Sequence, residues 1–275
     1  MSRNIQNNQS NTIEFIHITD SHLLDHPEDE FHGLNTRSCL DAVLSQSLSR
    51  YPDVDFLLFT GDISQTGNEQ SYNIFRSVIQ QYDFPMYCVP GNHDSPELLQ
   101  AIIPDCPDKT INIIPFEAFS LVLINSRVEG QNYGIVSHQC LQQLKEHLAN
   151  HQSQLTIVAV HHPPILTNCK WLDDLGLQNQ NEFLQVINDY NPNTLVLSGH
   201  IHQEVDSLLE QLRILTTPST CYQFEVNCDH MIRANLPPAY RHIRLDTLNN
   251  IDTKVHYIDQ EENERDMNTQ TWVSK

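Results

Sequence analysis

The chain is poor in basic residues. Its 275 residues include 15 Lys and Arg against 35 Asp and Glu, which gives a formal net charge of −20 and a pI near 4.9. Proteins that follow a nucleic-acid backbone normally present a basic face, so we expect no nucleic-acid partner. A small phosphorylated ligand remains compatible with this charge, because bound divalent cations can dominate the local charge of a site.

The chain also lacks the cysteine pattern of a secreted protein and any long apolar run. Its seven cysteines are scattered and contain no C-x-x-C pair, which predicts reduced thiols rather than a disulfide framework. No stretch approaches the roughly 20 apolar residues that cross a membrane. The polar start, MSRNIQNNQSNT, has no signal-peptide core. We therefore expect a cytoplasmic protein with no membrane partner; the sequence does not indicate an oligomeric state.

Apolar runs and helical periodicities alternate through most of the sequence, and after about residue 199 only strand-like runs follow. The predicted strands lie at 13–19, 56–60, 86–89, 111–114, 121–124, 155–160, 194–197, 214–217, 242–245 and 255–258. This order predicts a layered α/β fold with two sheets. Without an internal repeat or linker, we expect one domain at 13–258, between a polar tail at 1–12 and an acidic tail at 259–275.

Five short segments place His, Asp and Asn side chains directly after predicted strands. The segments are Asp20-Ser21-His22, Gly61-Asp62-Ile63, Gly91-Asn92-His93-Asp94, His161-His162-Pro163-Pro164 and Gly199-His200-Ile201-His202. Because ligands of α/β sheets bind beyond the carboxyl ends of the strands, these segments can converge. We expect the three glycines to permit sharp exits from the strands. Each segment alone is typical of an ordinary loop, but the ordered set indicates a metal site.

The residue types in these segments narrow the choice of metal. Asp, His and Asn without thiolate suit Fe, Mn or Zn and disfavour a closed structural zinc site. A two-metal site requires ions about 3.5–4 Å apart and a group that bridges them. Asp62 is the candidate bridge, because a carboxylate has two oxygens.

Taken in order, D-x-H, G-D, G-N-H-D, the His-rich strand end and G-H-x-H resemble the calcineurin-like metallophosphoesterase superfamily over residues 20–202. The resemblance implies a four-layer α/β/β/α sandwich with two mixed β-sheets and two divalent metal ions per subunit. It implies that one metal is bound by Asp20, His22, Asp62 and His202. It implies that the other is bound by Asp62, Asn92, His161 and His200, whereas His162 supports the site or faces the substrate.

The segment after Gly61-Asp62 departs from the phosphatases of this superfamily. Those enzymes continue with acidic and basic residues (G-D-x-x-D-R-G), whereas this chain continues Ile63-Ser64-Gln65. Gln65 stands where a carboxylate would orient the histidine of G-N-H-D, so strong activation of His93 by a carboxylate is not expected. The exchange fits diesterase relatives better than protein phosphatases.

Three further segments resemble one particular group of enzymes within this superfamily. W-L-D…L-x-N at 171–179, P-S-T-C-x-Q-F at 218–224 and P-x-Y-R at 238–241 are similar to class III cyclic nucleotide phosphodiesterases, the Icc/CpdA-type bacterial enzymes. That family hydrolyses 3′,5′-cyclic AMP to 5′-AMP by attack of a metal-activated hydroxide, with iron(II) or manganese(II) as the implied cofactors and zinc(II) also compatible. The implied contacts of the substrate phosphate are His22, Asp62, Asn92, His93 and His202.

The sequence allows more than one role for His93, Asp94 and Trp171. His93 is the candidate catalytic residue that protonates the leaving oxygen, and its alternative role is a hydrogen bond to Asp94. Asp94 itself is expected to orient the loop or a ligand histidine. Trp171 either offers an apolar face to a base or packs its loop onto the core.

Other functions also remain open at the level of sequence. The W-x-D loop occurs in glycerophosphodiesterases of the same superfamily, and a broad-specificity phosphodiesterase would share the same metal centre. A non-enzymatic scaffold of this fold would show gaps in the ligand set, and none is present. A regulatory cyclic-nucleotide-binding module would not need seven residues of metal-ligand type at strand ends.

Overall fold

The structure is a computed structural model that describes residues 12–152, 154–246 and 250–258. Apart from Thr12, the two predicted tails lie outside the described residues. Within these ranges, no helix combines the length and the apolar content needed to cross a membrane. In chain order, the elements are β1 Thr12–Ile18, β2 Glu30–Phe31, β3 Leu34–Asn35, α1 Thr36–Arg50, β4 Phe56–Phe59, α2 Glu69–Ile79, β5 Met86–Cys88, α3 Pro96–Gln100, β6 Ile111–Pro115, β7 Phe119–Ile124, α4 His138–Asn150, β8 Leu155–Val160, α5 Lys170–Asp173, α6 Gln180–Tyr190, β9 Thr194–Ser198, β10 Val205–Leu209, β11 Leu212–Thr216, β12 Gln223–Phe224, β13 Arg233–Ala234, β14 Ala239–Asp246 and β15 Ile251–Tyr257.

Two mixed sheets carry the fold. The first sheet has five strands in the order β15-β14-β1-β4-β5, in which β1, β4 and β5 run parallel and β14 and β15 are antiparallel additions. The second has six strands in the order β10-β11-β9-β8-β7-β6, with a parallel centre and an antiparallel strand at each edge. The central strands β4, β8 and β9 are buried throughout and mainly apolar, as is typical of strands covered on both faces.

Three apolar clusters separate the layers. Side chains from both sheets fill the space between them, and Phe15 stacks on Phe56 there with ring centroids 4.5 Å apart. Helices α1 and α2 cover the outer face of the first sheet, and α4 and α6 cover that of the second. The order of layers is therefore α/β/β/α, which confirms the fold predicted from the sequence.

The predicted strands are all present, whereas several of the shortest elements are not indicated by the sequence. The strand pairs β2–β3 and β12–β13 have only two residues per strand, and α5 has four residues. Such lengths give no readable periodicity. Strand β10 was also missed, because it is an exposed edge strand without a clean apolar alternation.

Phe56 provides a test of the sandwich. Its ring is fully buried between the two sheets, so Phe56→Ala is expected to lower the free energy of unfolding by about 3–5 kcal/mol. Leu208→Ala is the control, because Leu208 is 67% exposed on strand β10 and its truncation should change stability by less than about 0.5 kcal/mol. Chemical denaturation of both variants measures the difference; a similar loss in both would contradict the assigned core.

Candidate metal centre

The five segments singled out in the sequence meet at one edge of the sandwich. Each follows the carboxyl end of a parallel strand: β1, β4 and β5 in the first sheet, and β8 and β9 in the second. Backbone hydrogen bonds join neighbouring segments, from Asp20 N to Gly61 O at 3.0 Å and from Gly199 N to His161 O at 3.1 Å. The two sheets are linked by His200 N, which donates to Asp20 Oδ2 at 2.9 Å. The structure thus brings all the predicted site residues together.

The backbone at these strand ends is strained. Five of the candidate ligands have left-handed backbone conformations with φ values between 47° and 69°: Asp20, His22, Asp62, His200 and His202. Such a conformation costs a residue with a side chain roughly 1–2 kcal/mol. Strain of this kind persists only where the surrounding structure imposes it, and it concentrates at functional sites.

The three glycines serve two different purposes. Gly61 uses the expected conformational freedom, with φ of 94°. Gly91 and Gly199 do not have positive φ; they are needed for close approach. A Cβ atom would lie 2.7 Å from Asp62 Cγ at Gly91 and 2.6 Å from Asp20 Oδ2 at Gly199. The predicted sharp exits therefore hold for Gly61, whereas the other two glycines make room for the carboxylates.

Asp20, His22 and His202 form the first group of candidate ligands. His22 Nδ1 lies 2.7 Å from Gln65 Oε1, and His202 Nδ1 lies 2.7 Å from Tyr222 O. Both partners are acceptors, which assigns the ring protons to Nδ1 and leaves Nε2 with a lone pair. The two Nε2 atoms face each other at 3.1 Å. Asp20 Oδ1, buried without a hydrogen-bond partner, lies 3.4 Å from His202 Nε2.

Asp62, Asn92, His161 and His200 form the second group. His161 Nδ1 lies 2.6 Å from Thr60 O, so in the neutral ring Nε2 presents a lone pair. Around this atom lie Asn92 Oδ1 at 3.2 Å, Asp62 Oδ2 at 3.3 Å and His200 Nδ1 at 3.2 Å. With His161 neutral, its Nε2 and the oxygens of Asn92 and Asp62 therefore present lone pairs that converge on one point in this group too.

Asp62 lies between the two groups. Its Oδ1 accepts a hydrogen bond from His93 N at 2.9 Å. Its Oδ2 faces both sides, 3.3 Å from His161 Nε2 and 4.0 Å from His22 Nε2. Converging lone pairs cannot satisfy one another by hydrogen bonding, but they suit divalent cations that prefer nitrogen and oxygen ligands. The buried His and Asp clusters are thus consistent with a dimetal site.

Electrostatics favour the same interpretation. Burial lowers the pKa of His22 to about 4 and that of His200 to about 3, which keeps both rings neutral, as metal ligation requires. Burial also opposes a charge on His161, yet the carboxylates of Asp62 and Asp20 raise its pKa to about 9. Burial would raise the pKa of Asp62 as well, but attraction to His161 holds that pKa well below its usual range. The field at this point attracts positive charge.

Asp94 organises the loops around the site. Its buried carboxylate accepts hydrogen bonds from four donors in and between the second and third segments: Ile63 N at 3.2 Å, Ser64 N at 3.0 Å, Gly91 N at 2.9 Å and Tyr72 OH at 2.9 Å. Burial and the nearby charge of Asp62 raise the pKa of Asp94 to about 6. Of the two roles expected for Asp94, the structure shows loop orientation.

Gln65 has a role that sequence reasoning missed. The sequence identifies it only as the residue that replaces a carboxylate near His93. Its backbone carbonyl lies 2.9 Å from His93 Nδ1, while its side chain holds His22. The ring hydrogen bond that the structure gives His93 is therefore to Gln65. The other orienting groups, on Thr60 and Tyr222, are backbone carbonyls, which side-chain identity does not reveal.

His162 and Trp171 both pack as part of the structure. His162 is fully buried, its Nδ1 lies 2.8 Å from Ser126 Oγ, and its ring lies 4.9 Å from that of His161. Its Nε2 is buried without a hydrogen-bond partner, and His162 forms a candidate metal-binding group with His161 and His200. The ring of Trp171 packs edge-on against Phe224 at 4.9 Å, in agreement with the packing interpretation of this residue.

Comparison with known proteins settles the family. The family model described as Calcineurin-like phosphoesterase matches residues 13–204, which include every candidate ligand. The chain belongs to the calcineurin-like phosphoesterase family. This phosphoesterase is 32% identical over 251 residues to the 3′,5′-cyclic adenosine monophosphate phosphodiesterase CpdA of Haemophilus influenzae, covering 91% of this chain and 92% of the relative.

Two further comparisons agree. The 3′,5′-cyclic adenosine monophosphate phosphodiesterase CpdA of Escherichia coli is 31% identical over 249 residues, with 90% of each chain covered. A solved structure of a dimetal phosphatase from Danio rerio superimposes with a TM-score of 0.63 at 14% identity, covering 90% of this phosphoesterase and 99% of that chain. The second likeness shows a shared fold.

Gln65 provides a test of the candidate metal centre. Gln65→Ala removes the acceptor that fixes the His22 ring, so Mn²⁺ binding is expected to weaken by about 10–100-fold, as is typical when an orienting partner is lost. Gln65→Glu is the matched variant, because it keeps an acceptor at the same position. Calorimetric titration of both proteins with Mn²⁺ measures the effect. Wild-type affinity in Gln65→Ala would show that this contact does not orient a ligand.

Proposed function

We propose that this metallophosphoesterase is a dinuclear phosphodiesterase that hydrolyses 3′,5′-cyclic AMP to 5′-AMP. One observation carries the proposal: two buried groups of converging lone pairs share Asp62. They do so in a chain 31–32% identical, over about 90% of its length, to proteins named for cyclic AMP hydrolysis.

The proposed ligand sets follow the two groups. Asp20, His22, Asp62 and His202 hold one ion, and Asp62, Asn92, His161 and His200 hold the other. Iron(II) and manganese(II) suit these ligands best, and zinc(II) is also compatible. When bound, the ions supply an activated water and neutralise charge that develops on the phosphoryl oxygens.

The protein's own contribution is to hold its histidines in fixed orientations. Acceptors on Gln65, Thr60 and Tyr222 set the tautomer and direction of three rings. Preorganised groups of this kind need no rearrangement during the reaction. In the proposal, the substrate phosphate contacts His22, Asp62, Asn92, His93 and His202 directly or through the metals.

His93 is proposed as the acid. Its ring is half-buried, 5.3 Å from the ring of His22, and hydrogen-bonds through Nδ1 to Gln65 O. This arrangement makes Nε2 the ring atom that meets substrate. Hydrolysis to 5′-AMP breaks the bond between phosphorus and the 3′ oxygen, and His93 would donate a proton to that oxygen as it leaves.

A substrate panel tests the proposed reaction. Manganese-loaded protein is assayed with 3′,5′-cyclic AMP, 3′,5′-cyclic GMP, 2′,3′-cyclic AMP, glycerophosphoethanolamine and a phosphomonoester. The highest kcat/KM is expected for 3′,5′-cyclic AMP. A strong preference for the monoester would overturn the diesterase assignment, and a preference for glycerophosphoethanolamine would support a glycerophosphodiesterase instead.

His93→Ala tests the acid. The variant should keep its metal content and lose about 10²–10⁴-fold in kcat for cyclic AMP, because a poor leaving group needs protonation. The loss for bis(4-nitrophenyl) phosphate should be much smaller, because nitrophenolate leaves without a proton. His138→Ala is the control, since the side chain of His138 is 94% exposed. Equal losses for both substrates would remove His93 as the acid.

A further inference from the structure

A small hairpin stands beside the candidate metal centre. Strands β2 and β3 pair through Glu30–Asn35 and Phe31–Leu34 and are joined by His32 and Gly33, which have φ values of 54° and 76°. Positive φ at both central residues is the type I′ geometry that suits a two-residue hairpin. The tip is anchored from outside, because Arg233 Nη1 donates a hydrogen bond to His32 O. The hairpin is therefore a defined structural element.

The hairpin brings aromatic rings next to a candidate ligand. Phe31, His32 and Tyr222, together termed the aromatic wall, lie with ring centroids 4.4–5.5 Å apart. The ring of His22 is 6.0 Å from that of Phe31 and 5.9 Å from that of Tyr222. The aromatic wall is thus adjacent to His22, one of the residues proposed to contact the substrate phosphate.

The exposure of these rings indicates a face that is available to a ligand. Phe31 is half-buried and His32 exposed, whereas Tyr222 is buried behind them. The other aromatic residues of this region are committed to packing. Phe224 is buried and stacks on His202 with centroids 4.6 Å apart, and Trp171 packs against Phe224.

We propose that the aromatic wall binds the heterocyclic base of a nucleotide substrate, with Phe31 as the main stacking face. The inference rests on the proposed function, because the phosphate site at His22 places the base within reach of Phe31. Stacking on an aromatic ring suits a neutral base. Such a contact carries no charge, so the acidity of the chain does not oppose it.

Phosphate-matched ligands test the wall independently of turnover. The binding of 5′-AMP and of ribose 5-phosphate to manganese-loaded protein is measured by calorimetry. Both ligands present the same phosphate, and only 5′-AMP carries a base. The wild-type protein should bind 5′-AMP at least about tenfold more tightly, and Phe31→Leu should remove most of that advantage while leaving ribose 5-phosphate within about twofold.

Two further variants separate stacking from general damage. Phe31→Tyr retains a ring and should keep the preference for 5′-AMP. Tyr190→Leu alters an aromatic residue at the end of α6, before strand β9 and away from the site, and should change neither affinity. Equal weakening of both ligands in Phe31→Leu, or equal affinity of the wild-type protein for both, would overturn the inference.

The outcome separates this inference from the proposed function. If the wild-type protein prefers 5′-AMP through Phe31 but hydrolyses no cyclic AMP, the aromatic wall stands and the proposed reaction fails. If it hydrolyses cyclic AMP while Phe31→Leu leaves the preference for 5′-AMP unchanged, the proposed reaction stands and the aromatic wall is wrong.

Discussion

The carboxylate of Asp62 is the constraint on which the site depends. It is buried, and although burial alone would raise its pKa, positive charge on His161 holds that pKa well below its usual range. A buried charge is tolerated only when it is paired and hydrogen-bonded. One oxygen of Asp62 accepts a hydrogen bond from His93 N. The other oxygen has histidine nitrogens on both sides. Positive charge at this point therefore stabilises the arrangement, and the surrounding strand ends are built to hold the groups that receive it.

Holding those groups requires a rigid fold, because the strand ends are strained. Five candidate ligands adopt left-handed backbone conformations, at a combined cost that a loosely packed loop would relieve by rearranging. The apolar clusters between the sheets and beneath the helices fix the strands that lead into these residues. Packing of the apolar core thus keeps the strand ends in left-handed backbone conformations that these residues would not adopt on their own.

Side-chain chemistry made much of this molecule predictable from its sequence. The buried strands are mainly apolar, and the type and order of the residues that follow them, such as Asp20 and His200, indicate a metal site. The orienting acceptors on Thr60 and Tyr222 were not predictable, because every residue has a carbonyl and only the fold selects one. The β2–β3 hairpin could not be predicted for another reason. Two-residue strands show no periodicity, and His32-Gly33 is a weaker turn signal than an Asn-Gly pair would be.

The groups that orient the candidate ligands and the residues proposed to contact the base belong largely to different parts of the chain. His161 and His202 are oriented by the main chain, so side-chain substitutions at Thr60 or Tyr222 leave those hydrogen bonds available. The segment around Tyr222 both holds a candidate ligand and closes the aromatic wall, and large changes of its backbone would disturb both. The ring of Phe31 lies 6.0 Å from that of His22, and its side chain has no hydrogen-bonding atom that could fix a ligand. The hairpin is therefore the place where the choice of base can vary while the metal centre keeps its geometry.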